Sequence, residues 1–83
     1  MDKFLVEVYV PVLEKNYEMF LPASSKVYHV VKTICRYLDT VEDQYRFSSM
    51  NPVLSNRQNG VVYDCNMTLC ETGIKNGSKL LLM

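Results

Sequence analysis

Eighty-three residues are enough for one domain and exclude two. A chain this short buries only about 60–65% of the surface its unfolded form exposes, so little is left to enclose an active site. The 48% hydrophobic and 22% charged content argues against disorder, and nine basic residues offset by nine acidic ones argue against nucleic-acid binding, which draws on a basic surplus.

Phe4 to Val10 alternates: Phe4, Val6, Val8 and Val10 share one face, and Leu5, Glu7 and Tyr9 the other. Period two with β-branched and aromatic residues predicts a half-buried strand. Glu7, Pro11 and Glu14 interrupt this apolar N-terminal stretch, which has neither the unbroken apolar core nor the cleavage site of a secretory signal. No run reaches ~18 apolar residues, so direct membrane insertion is not expected. Pro11 cannot donate a ladder bond and should end the strand. Leu13 to Asn16 reads as a connection, and Tyr17, Met19 and Leu21, alternating with Glu18 and Phe20, as the second arm of a hairpin stopped by Pro22.

Ser24 and Ser25 stand where a helix can begin, since a serine hydroxyl accepts a bond from a first-turn amide. Val27, Val30, Val31, Ile34 and Leu38 then recur at steps of three and four, predicting an amphipathic helix of roughly 13 residues. Each fully buried aliphatic side chain on it contributes about 1.5–3 kcal/mol, so Val30→Asp should unfold the domain. Asp39 to Pro52 is irregular, with a short strand expected around Tyr45 to Ser48. Val53 to Gln58 and Val61 to Tyr63 flank Asn59-Gly60, a two-residue hairpin signal. Thr68 to Thr72 reads as one helical turn ended by Gly73 in the left-handed conformation. Ile74 returns to the core, Asn76-Gly77 turns the chain, and Lys79 to Met83 forms a final strand with Leu80 and Leu82 inward.

This order predicts one α+β domain over residues 1–83: a mixed sheet of four to five strands packed on one helix, the first and last strands parallel in the middle. Thr68-Leu69, Gly73-Ile74, Gly77, Leu80 and Leu82, together with Val27, Val30 and Ile34 on the helix, resemble ubiquitin and its β-grasp relatives. The likeness spans nearly the whole chain, with Asp39 to Pro52 as an apparent insertion. Within that superfamily the run Leu69, Gly73, Ile74, Asn76, Gly77, Leu80 and Leu82 is similar to the end of the small bacterial YukD/EsaB proteins of type VII secretion. Related domains form the cytosolic part of EccD-type membrane components. The resemblance implies a cytoplasmic accessory or regulatory protein that binds secretion machinery and is not an enzyme.

Conjugated modifiers and sulfur carriers act through a flexible tail ending in glycine, whereas this sequence stops at Met83. A non-conjugating module is therefore expected. The alternatives are a modifier or sulfur carrier whose glycine tail is missing, and an excised cytosolic domain of a secretion membrane component.

No cofactor is expected. Cys35, Cys65 and Cys70 are too few and too sparse for a disulfide framework and suit a reducing compartment. The Cys65–Cys70 spacing matches part of a plant-type ferredoxin motif, but the position three beyond Cys70 is Gly73, and four thiolates cannot be assembled. Zinc on Cys35, Cys65, Cys70 and His29 is possible by count alone, but His29 falls beside the exposed helix face and Cys35 on its flank. A single histidine without an oriented partner does not make a nucleophile pair. The isolated Gly60, Gly73 and Gly77 do not make a phosphate loop. Among six tyrosines, Tyr17 reads as core, Tyr63 is open, and Tyr9, Tyr28, Tyr37 and Tyr45 are rim or interface residues. If Phe4, Val6, Leu80 and Leu82 point inward, then Leu5, Tyr9, Leu81 and Met83 point outward on adjacent strands, with Leu54 or Val53 bordering them. That outer face is the candidate protein-binding site.

Overall fold

The computed structural model describes residues 2–42, 46–47 and 51–83. Its elements are β1 (Lys3–Val10), β2 (Lys15–Pro22), α1 (Val27–Val41), β3 (Leu54–Asn56), α2 (Leu69–Thr72) and β4 (Lys79–Leu82). The sheet order is β2-β1-β4-β3, with β1 antiparallel to β2, β4 antiparallel to β3, and β1 parallel to β4 at the centre.

The first hairpin pairs without a break from Lys3 with Pro22 to Val10 with Lys15. Pro11 lies in the turn, where its missing amide costs no ladder bond, and Glu14 takes the left-handed conformation at φ 53°. Pro22 ends β2 rather than lying beyond it. As β2 is an edge strand, a residue without an amide donor is tolerated there.

Neither Ser24 nor Ser25 caps the helix. Lys26 occupies the cap position and makes no side-chain cap bond. The first amides turn instead to a distant segment: Val27 N–H donates to the Met67 carbonyl (2.9 Å) and Tyr28 N–H to the Cys65 carbonyl (3.1 Å). The same seam continues where Leu69 and Cys70 N–H donate to the carbonyls of Ser25 and Ala23. Tertiary backbone bonds thus satisfy donors that a local side chain would otherwise cap. The helix runs 15 residues, its last turn closed by Glu42 N–H on the Leu38 carbonyl.

The second expected hairpin is shorter and looser. Only Leu54–Asn56 forms a strand, and its return arm reduces to one bridge between Ser55 and Val62, leaving four strands. The loop holds four residues, Arg57 to Gly60, because Asn56 N–H bonds the Val61 carbonyl. The Asn56 side chain accepts the amides of Gln58 and Asn59, an Asx turn that replaces the two-residue Asn-Gly turn, and Gly60 alone takes positive φ. Of the strand expected around Tyr45 to Ser48, Tyr45 and Ser48 lie outside the described residues. Phe47 is buried, with its amide on Asp39 Oδ1.

The core lies between sheet and helix. Val6, Val8, Val10, Leu54, Leu80 and Leu82 face Val27, Val30, Ile34, Cys35 and Leu38, and Leu69, Ile74 and Phe47 close the ends, all at most 3% exposed. Tyr17 packs half-buried against this cluster. Gly73 ends α2 at φ 89° and Thr68 begins it, with Thr68 N–H held by Glu71 Oε1.

Candidate functional site

Strand register determines what the outer sheet face presents. Partners across a ladder point to the same side. Leu5 pairs with Phe20, Glu7 with Glu18 and with Lys79, Tyr9 with Leu81, and Leu81 with Ser55. Beyond β4, Val53 and Met83 exchange both backbone bonds, Val53 N–H on the Met83 carbonyl (2.7 Å) and Met83 N–H on the Val53 carbonyl (3.0 Å). Tyr9, Leu81, Met83 and Val53 therefore form one apolar group at one end of the face.

Leu5 does not join that group. Four residues of strand span about 13 Å between Leu5 and Tyr9, and the row Glu18, Glu7, Lys79 runs between them. Leu5 pairs instead with Phe20, whose ring is 65% exposed. The expected single patch is thus two apolar groups divided by a charged row. Phe20 is not among the residues that alternation points to on this face, yet setting the hairpin arms in register places it opposite Leu5.

Leu54 is corrected. It is 1% exposed and faces the core opposite Leu82, because one step along β3 reverses the side-chain direction. Val53 takes the outward place at 47% exposure. Leu81 and Tyr9 are half-buried, and Met83 is exposed.

Arg57 covers part of this face. Its guanidinium lies 4.6 Å from the Tyr9 ring centroid and donates to Asn16 Oδ1 (3.0 Å) and Glu7 Oε1 (3.3 Å). The four-residue loop delivers it there, since Arg57 N–H is already anchored on the Lys79 carbonyl. The contact neutralises one of two directly opposed glutamates and fixes the tyrosine ring.

The thiols and histidine are dispersed. Cys35 is buried, while Cys65 and Cys70 are exposed, all three outside any disulfide, and Cys70 Sγ lies 3.3 Å from the Thr68 hydroxyl. Burial, with the Asp39 carboxylate adding, pushes the Cys35 thiol up, opposite to nucleophile activation. The exposed His29 ring stacks on Tyr28 at 4.4 Å. Among the described residues, no group of three or more acidic, cysteine or histidine side chains is placed to hold a metal ion, and no helix is long and apolar enough to cross a membrane.

This arrangement matches solved ubiquitin-like structures. The N-terminal ubiquitin-like domain of the 4931431F19Rik protein superposes with a TM-score of 0.75 at 25% identity, covering 98% of this chain and 73% of that one. A Caldiarchaeum subterraneum ubiquitin gives 0.71 at 16%, over 98% and 91% of the two chains. The ubiquitin-like domain of the Mycobacterium tuberculosis type VII secretion protein EccD1 gives 0.70 at 15%, over 100% and 99%. No family model and no curated protein matches the chain. The fold is ubiquitin-like, an α+β sheet with one helix packed on it.

Proposed function

We propose that this chain is a protein-interaction module of a bacterial type VII secretion system, of the YukD/EsaB kind. It acts in the cytoplasm as an accessory or regulatory component and captures a protein of the machinery with its outer sheet face. The likeness to the EccD1 domain, which spans the whole of this chain, supports the secretion setting.

The observation that carries the binding surface is the register of Tyr9 beside Leu81, extended by exposed Met83. A tyrosine held rigid by Arg57 loses little rotamer freedom on docking, and the apolar group supplies area to desolvate. The Glu18–Glu7–Lys79 row forms a polar border, and Leu5 with Phe20 offers a second anchor beyond it.

The test is a cross-linked pull-down from native bacterial lysate, read by mass spectrometry, with wild type and Leu81→Asp. Wild type should recover a secretion ATPase or channel subunit, and Leu81→Asp should lose it while keeping its circular dichroism spectrum. Recovery of ubiquitin-activating adenylating enzymes alone overturns the secretion assignment. Equal capture by a folded Leu81→Asp protein overturns the surface.

A further inference from the structure

A second surface lies on the helix side of the sheet, past β3. A groove of about 400 Å³ runs between α1 and the segments around β3 and Val62 to Cys65. Its floor includes Val31, Cys35, Leu54 and Tyr63, and Tyr28, Val53 and Val62 stand exposed at 37%, 47% and 57% along its margin. Large apolar side chains left exposed around a concave apolar floor mark a binding site rather than scattered surface residues.

Among the described residues that line it, the charged ones are Lys32 and Arg36, both basic, and neither forms an ion pair. They stand one helical turn apart, where like charges repel and oppose helix stability. The fold gains nothing from this pair, whereas an acidic ligand would. From Val27 to Arg36 the helix rises about 14 Å, the length of four to five residues of extended chain.

We infer that this groove binds an extended peptide segment of a partner protein, its apolar side chains in the groove and its flanking carboxylates on Lys32 and Arg36. The groove opens on the helix side and shares Val53 with the outer-face group, while Lys32, Arg36 and Val31 belong to the groove and Tyr9 and Leu81 to the outer face, so changes at those residues test the two surfaces apart.

The probe is a synthetic peptide of four alternating valine and leucine residues with two aspartates on each side. Added to nitrogen-15-labelled protein, it should shift the amides of Val31, Cys35, Leu54 and Tyr63. Two thiols give an independent readout: Cys65 lines the groove and Cys70 does not, and both are exposed. Bound peptide should slow iodoacetamide alkylation of Cys65 several-fold and leave Cys70 unchanged. Charge reversal by Lys32→Glu with Arg36→Glu should weaken binding at least tenfold, and Lys32→Gln with Arg36→Gln serves if the first pair unfolds. The inference is overturned by any of four results: no amide shifts at millimolar peptide, shifts centred on Leu5 and Leu81, equal affinity for a lysine-flanked peptide, or protection of Cys65 by decanoate but not by the peptide.

Discussion

Leu80 and Leu81 are the same residue type, adjacent on the same strand, and they belong to different parts of the molecule. Leu80 is 0% exposed and registers with Val8, in the layer that faces α1. Leu81 is half-buried and registers with Tyr9, on the side away from the helix. Burial against the helix makes the inner row a matter of folding. Among the described residues no helix packs on the outer row, so its exposed apolar residues need another explanation. A strand with leucine on both faces is therefore read by asking what covers each face.

The largest expected effect comes from placing one change on both faces. Leu80→Asp buries a carboxylate without a partner and removes an aliphatic side chain from the core, a loss of about 5 kcal/mol or more, comparable to the total stability of a domain this small. It should abolish the cooperative melting transition seen by circular dichroism. Leu81→Asp should cost about 1 kcal/mol, since water reaches its side chain. Two variants with equal melting curves would erase the distinction between the faces.

Elements governed by local pattern were legible before the structure. Phe4 to Val10 alternates cleanly and pairs over its full length, and the three-and-four spacing of Val27 to Leu38 yields the buried helix stripe. Gly73 and Ile74 fall as expected because a left-handed residue and a lone apolar residue between turns have few other uses. What escaped was set by distant backbone. The helix start at Val27 depends on the carbonyls of Met67 and Cys65, some 40 residues away, and no serine signal contains that information. The Asn59-Gly60 pair was overruled by Asn56, whose side chain organises a longer loop. On the candidate face, parity alone points Leu5, Tyr9, Leu81 and Met83 outward. Leu54 was misplaced because a three-residue strand offers too short an alternation to phase. Phe20 and Arg57 needed the hairpin register and the loop path, neither of which is a property of one segment.

A smaller effect tests what holds Leu80 inward and Leu81 outward. The turn after α2 delivers the chain to β4, and Gly73 makes it at φ 89°. A Cβ added there would meet nothing within 4 Å, so Gly73→Ala isolates the backbone cost of a left-handed residue. That cost is about 1–2 kcal/mol, a fall in melting temperature of roughly 5–15 °C for a domain of this length. An unchanged melting temperature would show that the turn does not govern how β4 is set.

The smallest effect concerns two clasps, one beside the helix and one on the outer face. On the outer face Arg57 ties Glu7 and Asn16 over Tyr9. Beside the helix, Glu42 just beyond α1 accepts Lys15 Nζ (2.9 Å) and the Tyr17 hydroxyl (2.9 Å), joining helix end to β2. The Lys15 bond first, then that of Tyr17, holds the Glu42 carboxyl below its ordinary value. A carboxyl with a depressed folded value adds stability that is present above the unfolded value and disappears as pH falls through the folded one. Wild type should therefore melt slightly above Glu42→Gln at neutral pH, and the two curves should converge in acid. Tyr17 works in the opposite direction. Burial first, then the bond to Glu42, pushes its hydroxyl up to about 12. Its contribution is complete below about pH 10, the ordinary tyrosine value, and is lost as pH rises toward 12. Ultraviolet titration of wild type against Tyr17→Phe should show one late phenolate missing from the variant. A Glu42→Gln variant whose melting tracks wild type at every pH would mean that the solvent-facing carboxylate contributes nothing to holding the helix end against β2.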